Sequence, residues 1–279
     1  MRYRPFGRSG IVISAVSLLL DGAVRRSARE WRDLVHTAME CGINGFEITG
    51  ESQALLEGAC EALAGVEREL MFVTWRPRAM AADARETVEA FLARTGLEHL
   101  DLLLLQDILP ASEALDSLRL SRRVRALGLA SDDETGEMLI ARGAFEAIAA
   151  PYSPVSGWRD RNRIKAAAQR DMAVIAHDIW PEALRKAAAA PVKRSLFARP
   201  EPLAGVGSYQ FLDSTPGWDA ESLCLAYVLT EPAVTTVRLA AGRPSDIQRL
   251  AAIPDLDLPA GVAAQIEMAR FSVEGRRGA

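Results

Sequence analysis

Two rhythms alternate along this chain. Short unbroken apolar runs recur, and between them apolar residues fall three and four positions apart, the spacing of one helix face. The first continuous run is Val16–Leu20. Ser27 and Glu30 then form an S-x-x-E capping box ahead of Trp31, Leu34, Val35, Ala38 and Met39, which predicts an amphipathic helix ending near Gly42. The alternation continues through strand candidates at Ile43–Ile48, Leu70–Thr74, Leu100–Leu105, Val124–Leu129, Phe145–Ala149, Ala173–Ala176 and Val234–Leu239. Helical stretches separate them: Leu55–Leu63, the segment capped by Asp83 and Glu86, Ala114–Leu120, Glu134–Ala141, Ile164–Arg170 and Glu221–Leu229. The Leu-rich run at 100–105 suits a strand buried on both faces.

Counted from Val16 there are eight β runs, most of them spaced by about 25–35 residues, which predicts one α/β unit over residues 1–279: a parallel (β/α)8 TIM barrel. Before it, Arg2–Phe6 and Ile11–Ser14 flank Gly7-Arg8-Ser9-Gly10 and read as an N-terminal β-hairpin. A doubly wound open sheet would want a Gly-rich phosphate turn after its first strand, and Leu18-Leu19-Leu20-Asp21-Gly22 is not one. Residues 190–216, rich in Pro and Gly, predict a long loop before the last helix and strand, either a lid over the site or a passive insertion.

Composition narrows the function classes. The formal charge is −4 and 49% of residues are hydrophobic, so a buried core is expected and a nucleic-acid partner is not. Cys41, Cys60 and Cys224 form no C-x-x-C pair, no run is long enough to span a membrane, and the N-terminus lacks a signal-like apolar stretch. A cytoplasmic protein is the expectation. The bases are 30 Arg and three Lys (Lys165, Lys186, Lys193), beside three His and four Tyr.

Several segments resemble the aldo-keto reductase superfamily. Tyr3–Gly10 followed by Ile13-Ser14 is similar to its opening hairpin, Gly42-Ile43-Asn44-Gly45-Phe46 to its G-I-N-x-F, and Ser52–Glu57 to S-E-x-L-L-G. His99-Leu100-Asp101-Leu102 resembles its Y-x-D-L, Val124–Leu129 its K-V-R-x-I-G-V, and Pro232–Pro244 its last strand and cofactor loop. The resemblance implies a barrel that reduces carbonyls with NADP or NAD at the C-terminal ends of its strands. It further implies a Tyr proton donor, a Lys paired with Asp to tune it, and a His that orients the carbonyl.

The sequence departs from that pattern where the chemistry lies. Glu47 stands at the Asp position, Ser52 at the Tyr position by counting, Trp75 at the Lys position and Gln106 at the His position. No Lys precedes Lys165 and no Tyr lies between Tyr3 and Tyr152, so no local shift restores either group. On the cofactor side the resemblance leaves Ser131, His177 (in place of a stacking aromatic), Arg243 and Arg249 as candidate contacts. Ala149 replaces a Gln, Asp246 opposes a phosphate, and Leu19 ends the first strand in place of a small residue. NADP or NAD binding is therefore expected to be lost.

The predicted strand ends collect Glu47, Trp75, Arg76, Gln106, Asp107, His177, Asp178 and Trp180 at the mouth, which Leu19 and Trp75 are expected to fill in part. No metal site is expected, because no HExxH helix or Cys–His spacing is present. Three functions stay open: a diverged oxidoreductase using Glu47 or His177 for the proton, a non-catalytic barrel that binds a small-molecule ligand or a protein partner, and a cofactor-independent acid–base enzyme of the isomerase or lyase kind.

Overall fold

Each apolar run becomes a strand of one closed sheet. The computed structural model describes residues 1–80, 83–106, 112–130, 134–189 and 209–277. An antiparallel hairpin of β1 (Tyr3–Pro5) and β2 (Val12–Ser14) leads into eight parallel strands. They are β3 (Val16–Asp21), β4 (Gly45–Thr49), β5 (Phe72–Arg76), β6 (Leu100–Gln106), β7 (Val124–Ala130), β8 (Ala147–Pro151), β9 (Ala173–His177) and β10 (Thr236–Leu239). Each strand pairs with its neighbour in sequence, and β10 closes the ring on β3 with Val237 opposite Val16. This is the (β/α)8 barrel with a leading hairpin that the periodicity predicts.

The helices are α1 (Ala28–Glu40), α2 (Gln53–Ala64), α3 (Ala84–Thr95), α4 (Ser112–Leu120), α5 (Glu134–Arg142), α6 (Trp158–Ala168), α7 (Glu182–Ala189), α8 (Ala220–Leu229), α9 (Pro244–Ala251) and α10 (Val262–Arg277). The α1 capping box forms as expected: Ser27 Oγ accepts from the Glu30 amide at 3.3 Å and the Glu30 carboxylate accepts from the Ser27 amide at 2.8 Å. Asp83 caps α3 through the Glu86 amide at 3.0 Å, and Gly96 ends that helix in the left-handed region at φ 70°.

Strands β4, β5, β8 and β10 begin two residues later than the apolar runs. Ile43, Phe145 and Val234 are buried in the helix-facing core without joining the ladder, whereas Leu70 ends an exposed 3-10 turn. Apolarity reports burial rather than strand pairing, so the runs overshoot. Helices α7, α9 and α10 were not among the helical stretches read from the pattern. Of the expected loop, residues 190–208 lie outside the described residues, and Gln210–Asp213 form a 3-10 turn.

Strand parity divides the core in two. Phe72, Leu102, Leu104, Ala126, Ala147, Ala149, Ala173 and Ile175 point inward and cluster with Phe6 and Ile13 of the hairpin. Phe6 reaches Phe72 with ring centroids 4.5 Å apart. Asn44 holds the hairpin in place, accepting from the Ser14 amide at 2.8 Å and donating to the Val12 carbonyl at 3.1 Å. The hairpin therefore stoppers the N-terminal end of the barrel and leaves the C-terminal end as its mouth.

Candidate functional site

Side chains reach the mouth by the same period-two rule. In β4, Phe46 and Ile48 face the helices, which turns Glu47 and Thr49 inward. In β5 the inward Phe72 fixes Thr74 and Arg76 as inward, with Val73 and Trp75 outward. Gln106 extends the inward row of Leu102 and Leu104; His177 extends that of Ala173 and Ile175. In β10, Val237 and Leu239 belong to the outer core, leaving Thr236 and Arg238 inside.

These inward groups form one network. The Glu47 carboxylate, 3% exposed, accepts from Arg76 Nε at 2.7 Å and from Arg238 Nη1 at 2.9 and 3.1 Å through its two oxygens. Arg76 Nη1 also donates to Gln106 Oε1 at 2.8 Å. Burial together with the charges of Arg238 and Arg76 pushes the His177 imidazole down to about 3, so it is neutral at physiological pH. At the rim, Arg78 pairs with Asp21 at 3.3 Å, and the Gly22 amide donates to the Thr49 carbonyl at 2.8 Å. A Cβ on Gly22 would lie 1.5 Å from the Gly50 carbonyl oxygen, and Gly50 itself has φ 60°, so this turn needs both glycines.

The structure brings Glu47, Gln106 and His177 together, and it moves Trp75 away. Trp75 is buried outside the sheet, stacked on Phe91 of α3 at 4.1 Å, because a strand that points Phe72 and Thr74 inward must point the residue between Thr74 and Arg76 outward. The cation beside Glu47 is Arg76, one residue on. Trp75 therefore does not fill the mouth; Leu19 lines it part-exposed, level with Glu47, and Arg238 enters it. Ser52 caps α2 through the Leu55 amide at 3.3 Å. Asp107 and Ser131 lie outside the described residues. Asp178 is exposed, with φ 52°.

The two remaining cofactor candidates have carboxylate partners of their own. Arg249 donates to Asp219 at 2.9 and 3.0 Å and to Glu221 at 2.7 Å; Arg243, largely exposed, pairs with Asp246 at 3.4 Å. His99 sits before β6, away from the mouth, near an Asp101 that is fully buried and accepts from Arg68 at 2.7 Å and from the Val73 amide at 2.8 Å. Among the described residues no group of three or more His, Cys, Asp or Glu could hold a metal ion. Arg238 was missed by sequence reasoning, although a single charge inside Thr236–Leu239 is the signal that could have found it.

The model of the Aldo/keto reductase family matches residues 20–270. The chain belongs to that family. No curated protein matches its sequence. Among solved structures, the holo form of aldo-keto reductase AKR11C1 from Bacillus halodurans superposes with a TM-score of 0.75 at 16% identity, covering 96% of this chain and 95% of that one. Its apo form gives a TM-score of 0.72 at 18% identity over the same shares. At these identities the likeness is one of fold, and the family's usual chemistry is NAD(P)-dependent oxidation and reduction. No helix among the described residues is long and apolar enough to cross a membrane.

Proposed function

We propose that this aldo/keto reductase-family barrel binds a small molecule at its mouth and performs little or no conventional carbonyl reduction. One observation carries the reading: Glu47 is clamped by two guanidiniums, with no phenol beside them. Carbonyl reduction needs an acid to protonate the alkoxide left by hydride arrival. The four tyrosines are engaged elsewhere. Tyr3 donates to the Gly42 carbonyl at 2.8 Å, Tyr209 to the Pro154 carbonyl at 3.4 Å and Tyr227 to Glu267 at 2.8 Å, while Tyr152 is buried beside Tyr227. Burial raises the pKa of Tyr152 and of Tyr227 and so makes both hydroxyls weaker acids.

His177 does not replace the missing acid. An imidazole that protonates only near pH 3 holds no acidic imidazolium proton to give at neutrality. The same value makes it a weak general base, which also counts against a cofactor-independent isomerase or lyase.

The residues present do not fit NAD(P) as the resemblance would hold it. Arg249 and Arg243 are paired with Asp219, Glu221 and Asp246, and Ala149 offers no side-chain amide. An adenosine phosphate would have to displace those carboxylates or sit against them. The unpaired thiols of Cys41, Cys60 and Cys224 support residence in the reducing cytoplasm. Calorimetric titration with NADPH and with NADH tests the cofactor part of this reading: no saturable heat is expected, and saturation at micromolar cofactor would overturn it.

A further inference from the structure

Among the described residues the mouth holds one cation more than it can neutralise. Arg76 and Arg238 face a single carboxylate, Glu47, and their side chains are only 19% and 12% exposed. His177 adds no charge, being neutral, and the rim pair Asp21–Arg78 cancels internally. Asp178, the other nearby described carboxylate, is exposed and makes no ion pair with either arginine. A largely buried guanidinium without its own counter-charge is expensive, and an added anion would offset that cost.

The hydrogen-bonding pattern says where. Arg238 spends Nη1 on Glu47; its Nε and Nη2 make no hydrogen bond among the described residues. Neither atom is among the fully buried side-chain nitrogens that lack a partner, so the free edge keeps some access to solvent. Arg76 spends Nε and Nη1 and leaves Nη2 in the same condition. The Nε–Nη2 edge of a guanidinium presents two parallel N–H bonds in a plane, the fork that a carboxylate accepts.

We infer that the barrel mouth is a receptor for a small organic carboxylate, gripped by the Nε–Nη2 edge of Arg238 with Arg76 Nη2 beside it. This rests on the ligand-binding reading above and names the ligand class. A monoanion matches the single unbalanced charge, and its planar oxygens match the fork. A bound carboxylate also offsets the two positive charges that depress His177, so the imidazole becomes easier to protonate when the site is filled.

The experiment is a proton NMR titration of the His177 ring in the full-length protein. His177→Gln identifies its signals among those of three histidines. Acetate, pyruvate and succinate are added at fixed ionic strength, with acetamide and inorganic phosphate as controls. At least one carboxylate is expected to give saturable shifts and raise the His177 pKa, acetamide none, and phosphate a weaker response. Arg238→Lys, which keeps the charge and loses the fork, should weaken carboxylate binding about tenfold, and Arg238→Met more. Should Arg238→Met fail to fold, Arg238→Lys carries the comparison. The inference is overturned by absence of any shift up to about 50 mM carboxylate, where one charge-assisted fork would register, by an equal response to acetamide or tighter binding of phosphate, or by unchanged affinity in Arg238→Lys. Each of those results leaves the absence of carbonyl reduction standing; NADPH-dependent turnover would instead remove the reading beneath the inference.

Discussion

Arg238 Nη1 donates to both carboxylate oxygens of Glu47, at 2.9 and 3.1 Å, and so ties the last barrel strand to the second across the mouth. Arg76 approaches the same carboxylate from the third strand. A site that the resemblance furnishes with an Asp–Lys pair, a phenol and a His instead contains one carboxylate, two guanidinium cations and a neutral imidazole.

Removing the carboxylate should be costly. Glu47→Gln leaves two largely buried guanidiniums facing each other, and chemical denaturation should show a loss of about 3 kcal/mol. Adding Arg238→Met to Glu47→Gln should recover part of it, because the second uncompensated charge is gone. Equal stability of the single and double variants would contradict the network.

His177 should titrate far below an ordinary histidine. Its folded value of about 3 lies under the usual 6.5, so across that interval the unfolded chain takes up a proton that the folded one refuses. The contribution is present above about 6.5 and is lost as pH falls toward 3. Wild type should thus lose more stability than His177→Gln on acidification from pH 7 to pH 4, measured by urea unfolding at each pH.

Trp75 should matter to folding and not to the mouth. Stacked on Phe91 and buried, it should cost about 3–5 kcal/mol when cut to alanine, while Trp75→Phe should cost far less. The His177 ring signals, read in Trp75→Phe, should stay where they are in wild type.

Much of this molecule was legible in its sequence. The eight apolar runs, the Ser27–Glu30 box and the hairpin glycines specify local structure directly, and the barrel follows from their order. Glu47, Gln106 and His177 could be placed because counting from the resembling motifs lands on inward positions of their strands. Trp75 was misplaced because a one-residue error in strand phase exchanges the two faces, and counting from a motif carries no information about phase. Period-two reading from Phe72 would have selected Arg76. Arg238 escaped for a different reason: its meaning depends on Glu47, which lies 191 residues away in the chain and becomes its neighbour only when the barrel closes. Asp107 and Ser131 lie outside the described residues and remain sequence expectations.

The paired state of Arg249 offers a test at the other end of the implied cofactor site. It is held by Asp219 and Glu221, which also cap and flank the start of α8. Arg249→Ala should lower stability by about 1 kcal/mol, as expected for a half-exposed network, and should leave calorimetric traces with NADPH as flat as those of wild type.

The most direct measurement is steady-state NADPH oxidation by the purified protein with a panel of simple aldehydes and ketones. A mouth with Glu47 clamped, no phenol and a neutral His177 should give no turnover above the uncatalysed rate. Turnover near 10 per second, about the middle of the ordinary enzyme range, would contradict the account outright.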